Sequence, residues 1–186
     1  RPVYGGGTPV TDIFAEKAVE LISKYLRRAV YNGYDIEARN GMALAAILAG
    51  IAFTNAGLTV VHAMAYPVGG KFHTSHGETN AALLPAVMEF FLPTAPEKFA
   101  RIAELMGESV EGIPLYEAAK KSVDAVVDLM KDIDSPNGLS AFGVKQEDFP
   151  TMAEDTIKIK RLLAGNPRPV TKGDLENLFR RALKYW

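Results

Sequence analysis

The chain has 186 residues, 48% of them hydrophobic, a formal net charge of -1 and no cysteine. That length is one domain with enough apolar content for a sizeable core, or one large piece of a longer protein. The charge balance, with no run of Lys or Arg, argues against a nucleic-acid-binding surface, and the lack of cysteine excludes a disulfide framework or a thiolate-held metal. The opening RPVYGGGTPVTD shows neither an initiator Met nor the apolar core of a signal peptide. A partial chain from a cytoplasmic protein is expected.

Thr8-Pro9 is a good N-cap and N1 pair for a first helix. Val10, Ile13, Phe14, Ala18, Leu21, Ile22, Tyr25 and Leu26 then repeat at three and four, and the pattern stops near Asn32-Gly33. Asp35 can cap the next helix, which ends near Gly57. From Asn40 to Gly70 there is no charged residue. A membrane span requires about 18 to 20 consecutive apolar residues. This stretch is interrupted by Thr54-Asn55 and Gly57, each half is shorter than that, and small residues (Gly41, Ala43, Ala45, Ala46) abound. It therefore reads as the central helix of a soluble bundle, with no membrane partner.

A shorter helix is expected over Val60 to Ala65, stopped by Pro67, Gly69 and Gly70. Another begins around His76 and carries Pro85, where a kink is expected. Pro96 to Met106 forms a short amphipathic helix closed by Gly107, and Leu115 to Ile133 a longer one ended by the turn cluster at 134–138. Asp148-Phe149-Pro150 precedes a helix through about Leu163, and Asp174 to Tyr185 forms the last. No segment alternates with period two for long enough to be a strand. The fold class is all-α, a multi-helix bundle over residues 1–186.

All three histidines, His62, His73 and His76, fall within fifteen residues. Imidazole is the commonest neutral nitrogen ligand for a divalent transition metal. With no other histidine and no cysteine, the chain can supply half a site at most. The remaining ligands would be carboxylates, water or residues outside the chain. On one straight helix the fourteen residues from His62 to His76 would span about 20 Å, too far to share an ion. A reversal at Pro67–Gly70 would let His76, at the head of the next helix, face His62. His73 lies in the connection, free to join the site, touch a substrate or do neither. The residues alone leave a second reading open, in which the histidines are hydrogen-bonded core groups. Glu78 is favourable near a helix N-terminus through the macrodipole and is not read as a ligand. Tyr66 and Phe53 read most simply as core aromatics.

The run AGLTVVHAMAYPVGGKFHTSHGETN resembles the signature of the iron-containing (group III) alcohol dehydrogenases. His62, Tyr66-Pro67, Gly69, His76-Gly77 and Asn80 fall at its positions. The opening TPVTDIFAEKAVELI and the closing AGNPRPVTKGDLENLFRRA resemble the family's flanking segments, so the likeness spans the chain. It implies the C-terminal helical domain of a two-domain, metal-dependent, NAD- or NADP-linked enzyme interconverting alcohols and aldehydes. His62 and His76 would be two ligands of Fe2+, with Zn2+ the alternative. The other two ligands and the dinucleotide-binding domain would lie upstream, and a homo-oligomer is expected.

Tyr66 stands where many members carry a second histidine near the nicotinamide. Tyr66 and His73 are the residues expected near substrate and cofactor, and Phe53 is expected in the alcohol pocket. Its Tyr-Pro-x-Gly-Gly version resembles members acting on short hydroxy acids and semialdehydes. The His-Gly-Glu triplet is similar to glycerol dehydrogenases and dehydroquinate synthases, whose ligand spacing differs. Two rivals stand beside this reading. One is an inactive helical module that binds metal poorly. The other is a metal-assisted hydrolase, which would want a third in-chain ligand with a base, as in His-Glu-x-x-His, and that motif is missing.

Overall fold

End signals set most of the helix boundaries. A computed structural model of the chain describes residues 6–186. Among the described residues the helices are α1 (Pro9–Tyr31), α2 (Ile36–Ala56), α3 (Val60–Phe72), α4 (His76–Phe91), α5 (Pro96–Leu105), α6 (Leu115–Asp132), α7 (Phe149–Ile157), α8 (Lys160–Leu163) and α9 (Lys172–Arg181). Short 3-10 turns lie at Leu92–Thr94, Leu139–Phe142 and Gln146–Asp148, and no strand occurs among the described residues. The fold is all-α.

The chain divides into two compact units, one comprising 6–57 with 95–133 and the other 58–94 with 134–186. In the first, Thr8 opens α1 with a reciprocal cap. Its side chain accepts from Thr11 N (3.2 Å), and Thr11 Oγ1 accepts from Thr8 N (2.7 Å). Asp35 caps α2 by accepting from Ala38 N (3.0 Å), and Gly57 closes it at φ 88°. α1 and α2 pack through Leu21, Tyr25, Ala38 and Ala45. Gly41 makes that approach possible, since a Cβ there would lie 2.2 Å from the Tyr25 ring.

The uncharged stretch does not become a central helix. α2 buries one narrow alanine face, Ala38, Ala45 and Ala52, and only 22% of its most apolar window is buried. Leu44, Ile47 (61% exposed), Ile51 and Phe53 (49%) face outward. At 21 residues α2 is also the one helix among those described that is long and apolar enough to cross a membrane. The capped helix starts at Ile36, four residues before the uncharged stretch begins at Asn40. Phe53 is not a core aromatic.

In the second unit α3 pairs with α4 and α7, and α9 packs on α4 and α7. Its core includes Met64, Val68, Leu83, Phe149, Met152, Leu175 and Phe179, with the Phe149 and Phe179 rings stacked at 6.4 Å. The expected stop at Pro67 does not occur, because α3 runs through Pro67, Gly69 and Gly70 to Phe72. An interior proline costs about 3 kcal/mol. Burying Met64 and Val68 completely contributes about 1.5–3 kcal/mol each, enough to offset it. Tertiary packing outweighs the local breaker.

α4 does carry Pro85. There the Tyr185 hydroxyl accepts from Ala86 N (3.3 Å) and donates to the Ala82 carbonyl (2.8 Å), sitting between two groups one turn apart. The single helix expected after Asp148 is two helices, α7 and α8, parted at Lys158-Ile159. Thr156 donates back to the Met152 carbonyl (2.7 Å), a bond that bends helices. The last helix ends at Arg181, short of Tyr185, because the Ala182 and Leu183 carbonyls leave it to accept from Leu139 N and Ser140 N.

Candidate metal centre

Both histidines at issue lie in the first turn of a helix, His62 as the third residue of α3 and His76 as the first of α4. The reversal that brings them together comes after α3. His73 caps that helix in the left-handed region (φ 53°, ψ 36°), and its N–H donates to the Gly69 carbonyl (3.0 Å). The chain then doubles back, with the Thr74 carbonyl beside Gly69. Thr74 Oγ1 bonds Thr79 Oγ1 (2.6 Å), and buried Thr79 donates to the Ser75 carbonyl (2.7 Å). Ser75 caps α4 and donates to Glu78 Oε2 (2.6 Å), so Glu78 serves the helix end, as expected.

As a result the His62 and His76 rings lie 5.4 Å apart, centroid to centroid. Two imidazoles sharing one tetrahedral ion, each with a metal–nitrogen bond of about 2.0–2.1 Å, have centroids roughly 5 Å apart. The observed spacing suits such sharing. His62 is half-buried, and its Nδ1 is buried without a hydrogen-bond partner on the protein. Burial, and then the neighbouring His76 ring, hold its pKa below the ordinary imidazole value. Both effects favour the neutral form of His62, the form that ligates a metal. His76 is exposed, and Asn80 Nδ2 lies 3.0 Å from its Nε2 and 2.8 Å from its carbonyl. A carbonyl only accepts, so Asn80 donates, and the Nε2 lone pair points at Asn80. This contact follows from the i, i+4 spacing of His76 and Asn80 on α4, a signal present in the sequence.

Among the described residues no group of three or more His, Asp or Glu could hold a metal ion. The pair is a half site. Tyr66 is 57% exposed, so it is not a core aromatic, and its ring lies 6.3 Å from that of His76. His73 is exposed at the reversal. Phe53 belongs to the other unit, at the last turn of α2. A groove of about 260 Å3 in that other unit, floored by Ala15, Val19, Ile102 and Leu105, contains none of these residues.

The fold and the site define a helical domain that presents two clustered histidines on successive helices. Residues 4–183 match the Fe-containing alcohol dehydrogenase family, C-terminal. The chain is 46% identical over 174 residues to the 1,3-propanediol dehydrogenase of Klebsiella pneumoniae, covering 94% of this chain and 45% of that one. It is 42% identical to the NAD-dependent methanol dehydrogenase of Bacillus methanolicus, covering 97% and 47%. A crystal structure of 1,3-propanediol oxidoreductase superposes with a TM-score of 0.92 at 45% identity, over 95% of this chain and 46% of that one. The chain belongs to the Fe-containing alcohol dehydrogenase family, as its C-terminal helical domain. It spans about half the length of the curated relatives it matches.

Proposed function

We propose that this chain is the metal-binding half of an NAD(P)-linked oxidoreductase that interconverts alcohols with aldehydes or ketones. The observation that carries the reading is the 5.4 Å approach of His62 and His76 in a domain of this family. The two imidazoles would hold two positions of Fe2+, with Zn2+ equally suited to them. The remaining ligands and the nicotinamide site would come from an N-terminal nucleotide-binding domain, as the doubled length of the relatives suggests. Bound there, the ion would supply Lewis-acid chemistry toward an alcohol oxygen, and the nicotinamide would carry the hydride.

This chain's residues have narrower tasks. His62, neutral and fixed in the first turn of α3, holds its ring in place. His76 has to release its lone pair from Asn80 before it ligates. Tyr66 and His73, both exposed beside the pair in sequence, are the groups to hold or move a proton near substrate and nicotinamide. Small alcohols are the proposed substrate class, in keeping with relatives named for propanediol and methanol. The working protein is proposed to be a cytoplasmic homo-oligomer without nucleic-acid or membrane partners.

A second reading applies to the 186 residues alone. With only a half site among the described residues, the isolated chain is expected to bind metal weakly and to catalyse nothing. The deciding experiment measures intact mass and metal content of the natural gene product together. A product of roughly twice 20.2 kDa, with about one ion per chain that is lost in His62→Ala and in His76→Ala, supports the oxidoreductase reading. A product of this length without stoichiometric metal would overturn it in favour of the helical module.

A further inference from the structure

α3 begins without a cap of its own. Thr59 stands at its N-cap position, yet the Thr59 side chain makes no capping bond. The first N–H groups of a helix have no intrahelical acceptor, and leaving one buried and unpaired costs about 1–3 kcal/mol. Here Val60 N–H, which is buried, donates to Asn166 Oδ1 at 2.9 Å, across 106 residues of sequence. Asn166 is 2% exposed. It sits in the connection between α8 and α9, next to Gly165, where a Cβ would lie 2.8 Å from the Leu58 carbonyl. Gly165 is therefore what lets this connection close on the residues just before α3. The Nδ2 of Asn166 is buried and finds no acceptor on the protein. The bond this buried amide does make is through its acceptor oxygen.

We propose that Asn166 is a positioning residue for His62, acting through the first turn of α3. His62 is two residues beyond the capped Val60, and its own N–H donates to the Thr59 carbonyl at 3.2 Å. Apart from the bonds within α3, these two contacts and a bond from Ala63 N–H to the Thr59 carbonyl (3.4 Å) hold the turn at its N-terminal end. Releasing the Val60 cap frays the turn that carries the His62 ring and loosens its register against His76. Fraying concentrates in the terminal turn of a helix. His76, capped separately by Ser75 on α4, stays in place. The metal-related part of this proposal rests on the reading of His62 as a ligand, whereas the geometric part does not.

The test uses the whole 186-residue chain by NMR, comparing the parent with Asn166→Ala and Asn166→Asp. Asp retains the accepting oxygen at a helix N-terminus, where a carboxylate is favoured. The readouts are hydrogen-exchange protection at Val60, the cross-relaxation between the His62 and His76 rings, and the shift of both rings on titration with Zn2+. Asn166→Ala is expected to lower Val60 protection about tenfold or more, to weaken the inter-ring signal, and to weaken Zn2+ binding by roughly 10- to 100-fold, as for groups that orient a ligand. Asn166→Asp is expected to restore all three.

Loss of Val60 protection in Asn166→Ala with an unchanged inter-ring signal would overturn the proposal, and so would a folded Asn166→Asp that fails to rescue. If Asn166→Ala does not fold, Gly165→Ala, which displaces the same connection with Asn166 intact, is read in its place. Excess Zn2+ that shifts the His76 ring of the parent chain and leaves the His62 ring unshifted would count against His62 as a ligand, while the inter-ring signal still decides the positioning role.

Discussion

Two glycines of α2 invite the same substitution with opposite results. In Gly41→Ala the new Cβ lies 2.2, 2.6 and 2.7 Å from three carbons of the Tyr25 ring, closer than real Cβ contacts come. The ring has little room to retreat, being buried, with its hydroxyl donating to Glu37 Oε1 (3.0 Å) and with Lys24 and Arg28 over it at 4.8 and 5.4 Å. In Gly50→Ala nothing lies within 4 Å of the new Cβ. Each change gains about 0.8–1 kcal/mol of helix propensity, and only the first adds an overpacking cost of about 1–3 kcal/mol. The difference between the two variants cancels the propensity and leaves the steric cost alone. Urea denaturation followed by far-UV circular dichroism should show Gly50→Ala more stable than the parent and Gly41→Ala about 1–3 kcal/mol less stable than Gly50→Ala. At roughly 2–4 °C per kcal/mol for a chain of this size, thermal midpoints separate by several degrees. Equal stabilisation by both substitutions would mean that α1 and α2 do not approach at Gly41, and the account of α2 as a helix buried only on its alanine face would fail with it.

His62 has a folded pKa depressed below that of the unfolded chain, so the unfolded state binds its proton first and stability falls as pH drops below about 6.5. In His62→Gln that part of the acid loss should vanish from stability measured at successive pH values. Tyr185→Phe removes the hydroxyl between Ala82 and Ala86 and should cost about 1–3 kcal/mol in urea denaturation, and no loss would show the bridge to be idle. Burial raises the Tyr185 phenol well above its ordinary value, so one of the seven tyrosines should stay un-ionised in an alkaline ultraviolet titration until the chain unfolds. In metal-free protein, nitrogen-15 shifts should show His76 protonated at Nδ1 with Nε2 as acceptor, and Asn80→Ala should abolish that preference.

Helix ends were legible because each rests on a few adjacent residues. Thr8-Pro9, Asp35 and Gly107 act locally, and the helices begin or stop beside them. What failed was any inference needing knowledge of what a helix packs against. Pro67 and two glycines look like a stop, yet Met64 and Val68 are drawn into the core and the helix continues. An apolar run reads as buried on all sides, yet the described residues fully bury only Ala38, Ala45 and Ala52 of α2 and partly cover Met42 and Leu48. The hydroxyl of Tyr185 inside α4 and the carboxamide of Asn166 at the head of α3 join positions about 100 residues apart, and no local pattern announces either.

The meeting of His62 and His76 was expected from the Pro-Gly break, but it arises from different residues. Had α3 ended at Ala65, the connection to His76 would have been a ten-residue loop, and its closure entropy would have left the two rings only loosely related. Instead α3 continues to Phe72, and the reversal is compressed into His73, Thr74 and Ser75. His73 accepts a left-handed backbone, Thr74 bonds Thr79, and Ser75 caps α4. A short reversal tied at three points fixes the approach of one helix head to the other, which a flexible break would not. The left-handed conformation at His73 is uncommon for a residue with a side chain. That gives His73 a task in the backbone separate from any in catalysis. His73→Gly should keep the inter-ring approach of His62 and His76, because glycine adopts that conformation freely. His73→Val should lose it, because a β-branched residue is strained there. If both variants keep the approach, the reversal does not depend on the backbone of residue 73, and the pairing is held by the Thr74–Thr79 bond and the Ser75 cap.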